Sequence, residues 1–103
     1  MKISDMDNFI STNHFVAGDI IFFVEGVVGG TCSRPKCLGK RKILARVIQE
    51  KPRNSYMLEV FDAIGVYSGR VIDKKLIVRS QRDIFKHDGV FRLAEVHKTA
   101  VGL

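Results

Sequence analysis

Hydrophobic residues in this chain come in short bursts, each closed off by glycine, proline or a polar cluster. That spacing leaves room for little except short antiparallel strands. The longest continuous apolar run is Ile20-Ile21-Phe22-Phe23-Val24, bounded by Gly18-Asp19 and Glu25-Gly26. It is β-branched and aromatic and apolar on both faces, so it reads as a strand that is either central or covered by the N-terminal segment. In Ile43 to Lys51, Ile43, Ala45 and Val47 alternate with Leu44, Arg46 and Ile48. In Ser55 to Ala63, Met57, Glu59 and Phe61 alternate with Tyr56, Leu58 and Val60. Pro52-Arg53-Asn54 between them has a turn composition, which predicts a hairpin.

Further along, Gly69-Arg70-Val71-Ile72 reads as short and extended, and Asp73-Lys74-Lys75 as a polar turn. Leu76-Ile77-Val78-Arg79 is a strand, Arg82-Asp83-Ile84-Phe85 one helical turn, His87-Asp88-Gly89 a turn, and Val90 to Val96 the last strand. Ser4 to Thr12 predicts a short helix. Ser4 suits an N-cap, Asp5 and Asp7 suit the first turn, and Met6, Phe9 and Ile10 fall at helical spacing. Residues 1–15 then act as an N-terminal lid segment, and the tail 98–103 frays.

The expected fold is mainly β, with five to six strands and a short N-terminal helix. It is either a small, strongly bent antiparallel sheet or a Src-homology-3-like barrel, whose closure removes exposed edges. The 103 residues make a single domain, 1–103, and 46% hydrophobic content supports a modest core. Composition excludes a large multidomain enzyme, an acidic disordered tail and a collagen-like chain. Acids at Asp5 and Asp7 follow Lys2 at once, unlike a secretory signal, and no apolar run approaches the ~20 residues of a membrane span. A cytoplasmic location is expected, without membrane contact and with Cys32 and Cys37 as free thiols.

Gly18-Asp19-Ile20-Ile21-Phe22-Phe23, followed by Gly26 and Gly30, resembles the opening of a KOW-type segment. The resemblance covers residues 16–30. It implies a Src-homology-3-like small barrel of the kind found in ribosomal and transcription-elongation proteins, whose loops touch RNA or protein. After these residues the chain departs from the pattern, because a cysteine-containing basic stretch replaces the short glycine turn.

Charge carries the main functional signal. The formal net charge is +6, with 17 Lys+Arg against 11 Asp+Glu. Residues 1–25 hold one base against four acids, so the positive charge belongs to the remainder. Residues 26–42 lack apolar periodicity and predict a long basic loop. Arg34, Lys36, Lys40, Arg41, Lys42, Arg46 and Arg53 are the expected phosphate contacts, with Lys51 nearby and Glu50 the one acid among residues 34–53. Lys74 and Lys75 extend the set, and Arg79 can join it. Tyr56 and Tyr67 are the candidates for base stacking. There is no Trp, and no aromatic lies in the basic stretch, so contact with phosphates is the expected mode.

Two cysteines supply half of a structural zinc site, and His14, His87 and His97 show no paired spacing. Zinc and a Cys32–Cys37 disulfide are therefore the lesser alternatives to free thiols, and no metal or cofactor is expected. Cys37, His87 and Asp88, or the acids Glu59, Asp62 and Asp73, are scattered catalytic candidates that no spacing ties together, and phosphate-loop and dinucleotide fingerprints are missing. The leading expectation is thus a non-catalytic protein binding DNA or RNA with weak sequence preference. The alternative is a protein-interaction or inhibitor module, of the viral or mobile-element accessory type, that docks on an acidic partner or holds a small anionic ligand. The oligomeric state is left open.

Overall fold

Alternation along two neighbouring strands places Ile21 and Phe23 opposite Ala45 and Ile43 on one face of a sheet, all four fully buried. Val47, Leu58, Ile77 and Val90 join them on this face, and it forms the core. Each such side chain contributes roughly 1.5–3 kcal/mol on burial, which fixes the register of the strands that carry them.

The computed structural model describes residues 9–30 and 33–93. In chain order these form β1 (Phe9–Thr12), β2 (Ile20–Gly30), β3 (Pro35–Lys51), β4 (Ser55–Gly65), α1 (Ser68–Lys74), β5 (Leu76–Ser80), α2 (Gln81–Phe85) and β6 (His87–Leu93). The six strands make one antiparallel sheet in the order β1-β6-β2-β3-β4-β5. The protein is mainly β, as its spacing of apolar bursts requires. Of the two expected forms the bent sheet is found: the ladder does not close, and β1 and β5 are its edges.

The bend is strong. Arg79 on β5 donates from Nε to Glu25 Oε1 on β2 at 2.7 Å, although two strands separate β5 from β2 in the ladder. In a flat sheet those strands lie about 14 Å apart. Curling brings them face to face around the core. Phe15 from the segment before β2, Val71 from α1 and Ile84 from α2 pack on the same concave side. Phe15 meets Tyr56 at 4.8 Å and Phe85 at 5.7 Å between ring centroids. The Gly18-Asp19 pair turns the chain into β2: Gly18 has φ +98°, its N–H donates to Val47 O, and Asp19 Oδ2 accepts from Val16 N.

Four expectations need correction. Phe9–Thr12 is a strand and not the end of a helix; it pairs with β6, and edge pairing overrides the helical spacing of Phe9 and Ile10. Residues 4–8 of the expected helix, Cys32, the 94–96 end of the last strand and the 98–103 tail lie outside the described residues. Residues 26–42 are not one long loop: 26–30 and 35–42 extend β2 and β3 into a two-stranded ribbon. The stretch 69–72 is helical, because α1 is set by backbone turns at both ends, Tyr67 (φ 51°) before it and Lys75 (φ 62°) after it. Finally, His87–Gly89 belongs to β6, where a register shift after Phe23 takes up the irregular backbone.

Candidate nucleic-acid interface

Beyond Gly26 and Lys40 the ribbon strands hydrogen-bond only to each other. The last pair is Gly30 with Pro35. Five residues of β2, Gly26 to Gly30, make an arm about 17 Å long. Its tip depends on Gly30, whose φ is +85°: a Cβ there falls 2.6 Å from the Arg34 carbonyl oxygen. The sequence shows no acid between Glu25 and Glu50, so this arm is purely basic.

Register sorts the cations. Lys40 pairs with Gly26 and Lys42 with Val24, placing both on the convex side of the sheet, about 7 Å apart as residues i and i+2. Leu38 is the extra residue of a bulge, which shifts Lys36 into pairing with Gly29. Arg34, Lys36, Lys40 and Lys42 are exposed. Arg41 points the other way, toward the concave side.

Arg41 and Arg79 share the carboxylate of Glu25, a residue only 7% exposed. Arg41 Nε donates to Oε2 at 2.5 Å and Arg79 Nε to Oε1 at 2.7 Å, with Arg79 Nη2 also reaching Oε2 at 3.3 Å. Burial by itself pushes the Glu25 carboxyl up. The hydrogen bonds and charges of Arg79 and Arg41 together outweigh burial and hold it below the ordinary carboxylate range. This clamp joins β2, β3 and β5 at the base of the ribbon.

Next to the clamp, a groove of about 620 Å³ separates the ribbon from α1. Arg41, Arg70, Lys74 and Arg79 line it, together with the Tyr67 ring. Arg70 lies over that ring, 4.4 Å from guanidinium carbon to centroid. Tyr67 is left-handed, at φ 51° and ψ 31°, a region that bulky residues enter at a cost of about 1–2 kcal/mol. Two donors hold its carbonyl there, Arg41 Nη1 at 3.4 Å and Arg70 N at 3.2 Å.

The nine expected phosphate contacts therefore divide. The structure groups Arg34, Lys36, Lys40 and Lys42 on the ribbon, and places Arg41 and Lys74 in the groove. Lys75 is the exposed C-cap of α1, its carbonyl accepting from Val60 N. Arg46 sits on the sheet body, its guanidinium carbon 5.4 Å from the Phe61 ring centroid, and faces Glu59 in the register. Arg53 is at the far end of β3, in the turn before β4, on the order of 50 Å from Lys36 along the strand at ~3.3 Å per residue. It belongs to a separate hollow with Asn13, Ser80 and Phe85. Sequence reading passes over Arg70, which falls in a stretch expected to be extended; the helical turn that faces it toward the ribbon has no local signature. Tyr56 packs against the core, whereas Tyr67 is half exposed.

Cys37 is an exposed free thiol on the ribbon. It shares a cleft of about 350 Å³ with His87, but no hydrogen bond joins the two. Among the described residues, no three His, Cys, Asp or Glu side chains gather as a metal site, and no helix is long and apolar enough to cross a membrane. In comparisons with known proteins, no family model matches the chain, and neither does any curated protein or solved structure.

Proposed function

We propose that this protein binds nucleic acid without catalysis, gripping the phosphate backbone with the β2–β3 ribbon. The observation that carries the proposal is the ribbon itself, a two-stranded arm presenting Arg34, Lys36, Lys40 and Lys42 with no acid along its length. A two-stranded ribbon fits the major groove of duplex DNA, and its exposed lysines can equally track a single strand. The KOW-like opening at Gly18-Asp19 agrees with a small β domain that touches RNA. Contacts of this kind neutralise phosphates and read little sequence.

Titration with fluorescent single- and double-stranded DNA and RNA at low and near-physiological salt tests this. The expected result is binding that weakens steeply with salt. In the triple variant K36A/K40A/K42A the log–log slope flattens by roughly 2–3 units, about 0.9 for each duplex phosphate that no longer meets a cation. Affinity that ignores salt, or no affinity at low salt, overturns the proposal. Val28 and Leu38, exposed on the same ribbon, favour a second reading, a docking or inhibitor module for an acidic protein. Retention of one protein partner at high salt, abolished by Val28→Ser and Leu38→Ser, marks that outcome.

A further inference from the structure

We infer that the groove between the ribbon and α1 is a nucleotide site, taking one nucleoside phosphate monoester with its base on Tyr67. The site lies on the concave side, apart from the outward row of Lys40 and Lys42, and does not depend on the ribbon gripping a polyanion.

Charge supports an anion. Arg41 and Arg79 bring two positive charges against the single charge of Glu25, while Arg70 and Lys74 have no carboxylate partner among the described residues. The groove thus holds three unbalanced positive charges, and none of the described acids lines it. A phosphate monoester carries about −1.5 to −2 near neutral pH, with three acceptor oxygens to share among such donors. Glu25 engages the Nε of both arginines, which fixes the guanidinium planes beforehand. Arg79 is consumed by this role, since its Nη1 also donates to Val78 O at 2.9 Å. Arg41, Arg70 and Lys74 are left for the phosphate.

Shape and stacking support a nucleoside in place of a bare anion. A volume of about 620 Å³ falls in the range of small-ligand sites. Val28 and Leu38 give one wall an apolar surface, and Val71 gives the other. Arg70 lies over the Tyr67 ring, and a base can stack on this pair. The left-handed backbone of Tyr67 is the second, independent observation. A strained aromatic residue whose carbonyl is held by the Arg41 guanidinium and by the Arg70 backbone N–H is a prepositioned one, and Arg41 thus both faces the ligand and helps fix the backbone that aims the ring.

The test is calorimetric titration of the full chain with AMP, adenosine and inorganic phosphate, beside 5′-phosphorylated and 5′-hydroxyl oligonucleotides of one sequence. AMP is expected to bind at least tenfold more tightly than adenosine or phosphate alone. Lys74→Ala and Arg70→Ala should each weaken it about tenfold with the melting temperature unchanged, because both residues are exposed. Tyr67→Phe should keep the preference for AMP over phosphate, and Tyr67→Asn, which tolerates the same backbone angles, should lose it. A free nucleotide and a strand end share this chemistry. Tight AMP binding identifies the first, and preference for the 5′-phosphorylated oligonucleotide with feeble AMP binding identifies the second. Equal response to AMP and phosphate, or indifference to Lys74→Ala and Arg70→Ala, overturns the inference. K36A/K40A/K42A separates it from the ribbon reading: AMP binding persists there even where oligonucleotide binding fails.

Discussion

Glu25 is the residue on which two ion pairs converge, those of Arg41 and Arg79. Its carboxylate compensates two arginines from two strands, so removing its charge leaves both guanidinium groups partly buried and unpaired. Glu25→Gln is expected to cost about 3 kcal/mol, the lower end for breaking a buried pair, because both arginines still reach solvent. On a domain of this size that lowers Tm by roughly 10–20 °C, measurable by thermal melting near neutral pH. The sign of the pH dependence follows from the depressed folded-state value. The clamp's contribution is fully present above the unfolded pKa, about 4.3, and is lost as pH falls through the lower folded value. The Tm gap between wild type and E25Q should therefore narrow below about pH 4; a gap that stays constant into acid shows that the carboxylate charge is not what Glu25 contributes. Gly65 matters for a different reason. At φ +128° it lies against β3, and a Cβ there falls 2.5 Å from Lys40 O and 2.7 Å from Arg41 Cα. Gly65→Ala should destabilise by about 1–3 kcal/mol and weaken AMP binding through displaced Arg41, whereas Gly69→Ala, with open space around its Cβ position, should do neither.

Among the elements, the ribbon is the most separable. Replacing residues 28–38 by Asn-Gly closes Val27 onto Gly39 through a two-residue hairpin turn. Tm should move by only a few degrees, because none of the described core residues is removed, while oligonucleotide binding weakens and its log–log salt slope flattens by roughly 2 units as Arg34 and Lys36 are lost; collapse of the fold would show that the arm supports the body. This separability also explains why the ribbon is illegible in sequence. Val27-Val28-Gly29-Gly30 and Pro35-Lys36-Cys37-Leu38 are exposed or at most half-buried along the groove, so no core burial imposes an apolar alternation, and cross-strand backbone hydrogen bonds leave no trace in composition. The core strands are legible for the opposite reason: Ile43, Ala45 and Val47 are buried together, and their period of two is a consequence of that burial. The α2 turn is equally visible, since Ser80 caps it by accepting from Asp83 N. For α1 and β1 the local patterns point the wrong way. Val71-Ile72 is β-branched yet helical, because Val71 fills the core from a turn that Tyr67 and Lys75 impose. Phe9–Thr12 shows helical spacing yet extends along β6.

For the molecule as a whole, the consequence is uneven stability. The described chain concentrates its fully buried residues in β2, β3, β4 and β6 and in α2 on the concave side, whereas the arm has none. Hydrogen exchange should rank accordingly. Amides of Ile21 to Phe23 and Ile43 to Val47 are expected to exchange slowest, at rates set by global unfolding, and those of Val27 to Gly30 far faster. Equal protection along the full length of β2 contradicts that ranking. The two candidate sites are legible to different degrees for the same reason. A run of lysines along one strand is a local property of the sequence. A groove assembled from β2, β3, α1 and β5 exists only after the sheet has curled, and nothing in the spacing of Arg41, Arg70 and Arg79 announces that they meet.

One unbroken 17-residue strand, β3, runs from the ribbon's tip through the core to the far hairpin. The ribbon can therefore grow or shrink at its tip without disturbing what lies beneath, and the permitted step is two residues in each arm. Adding two preserves parity and repeats the outward row of Lys40 and Lys42 one pleat further out. Adding one turns every cation beyond the insertion to the opposite face. Reach is thus a parameter that small insertions can tune in whole pleats, while the direction in which the charge faces is protected by counting alone.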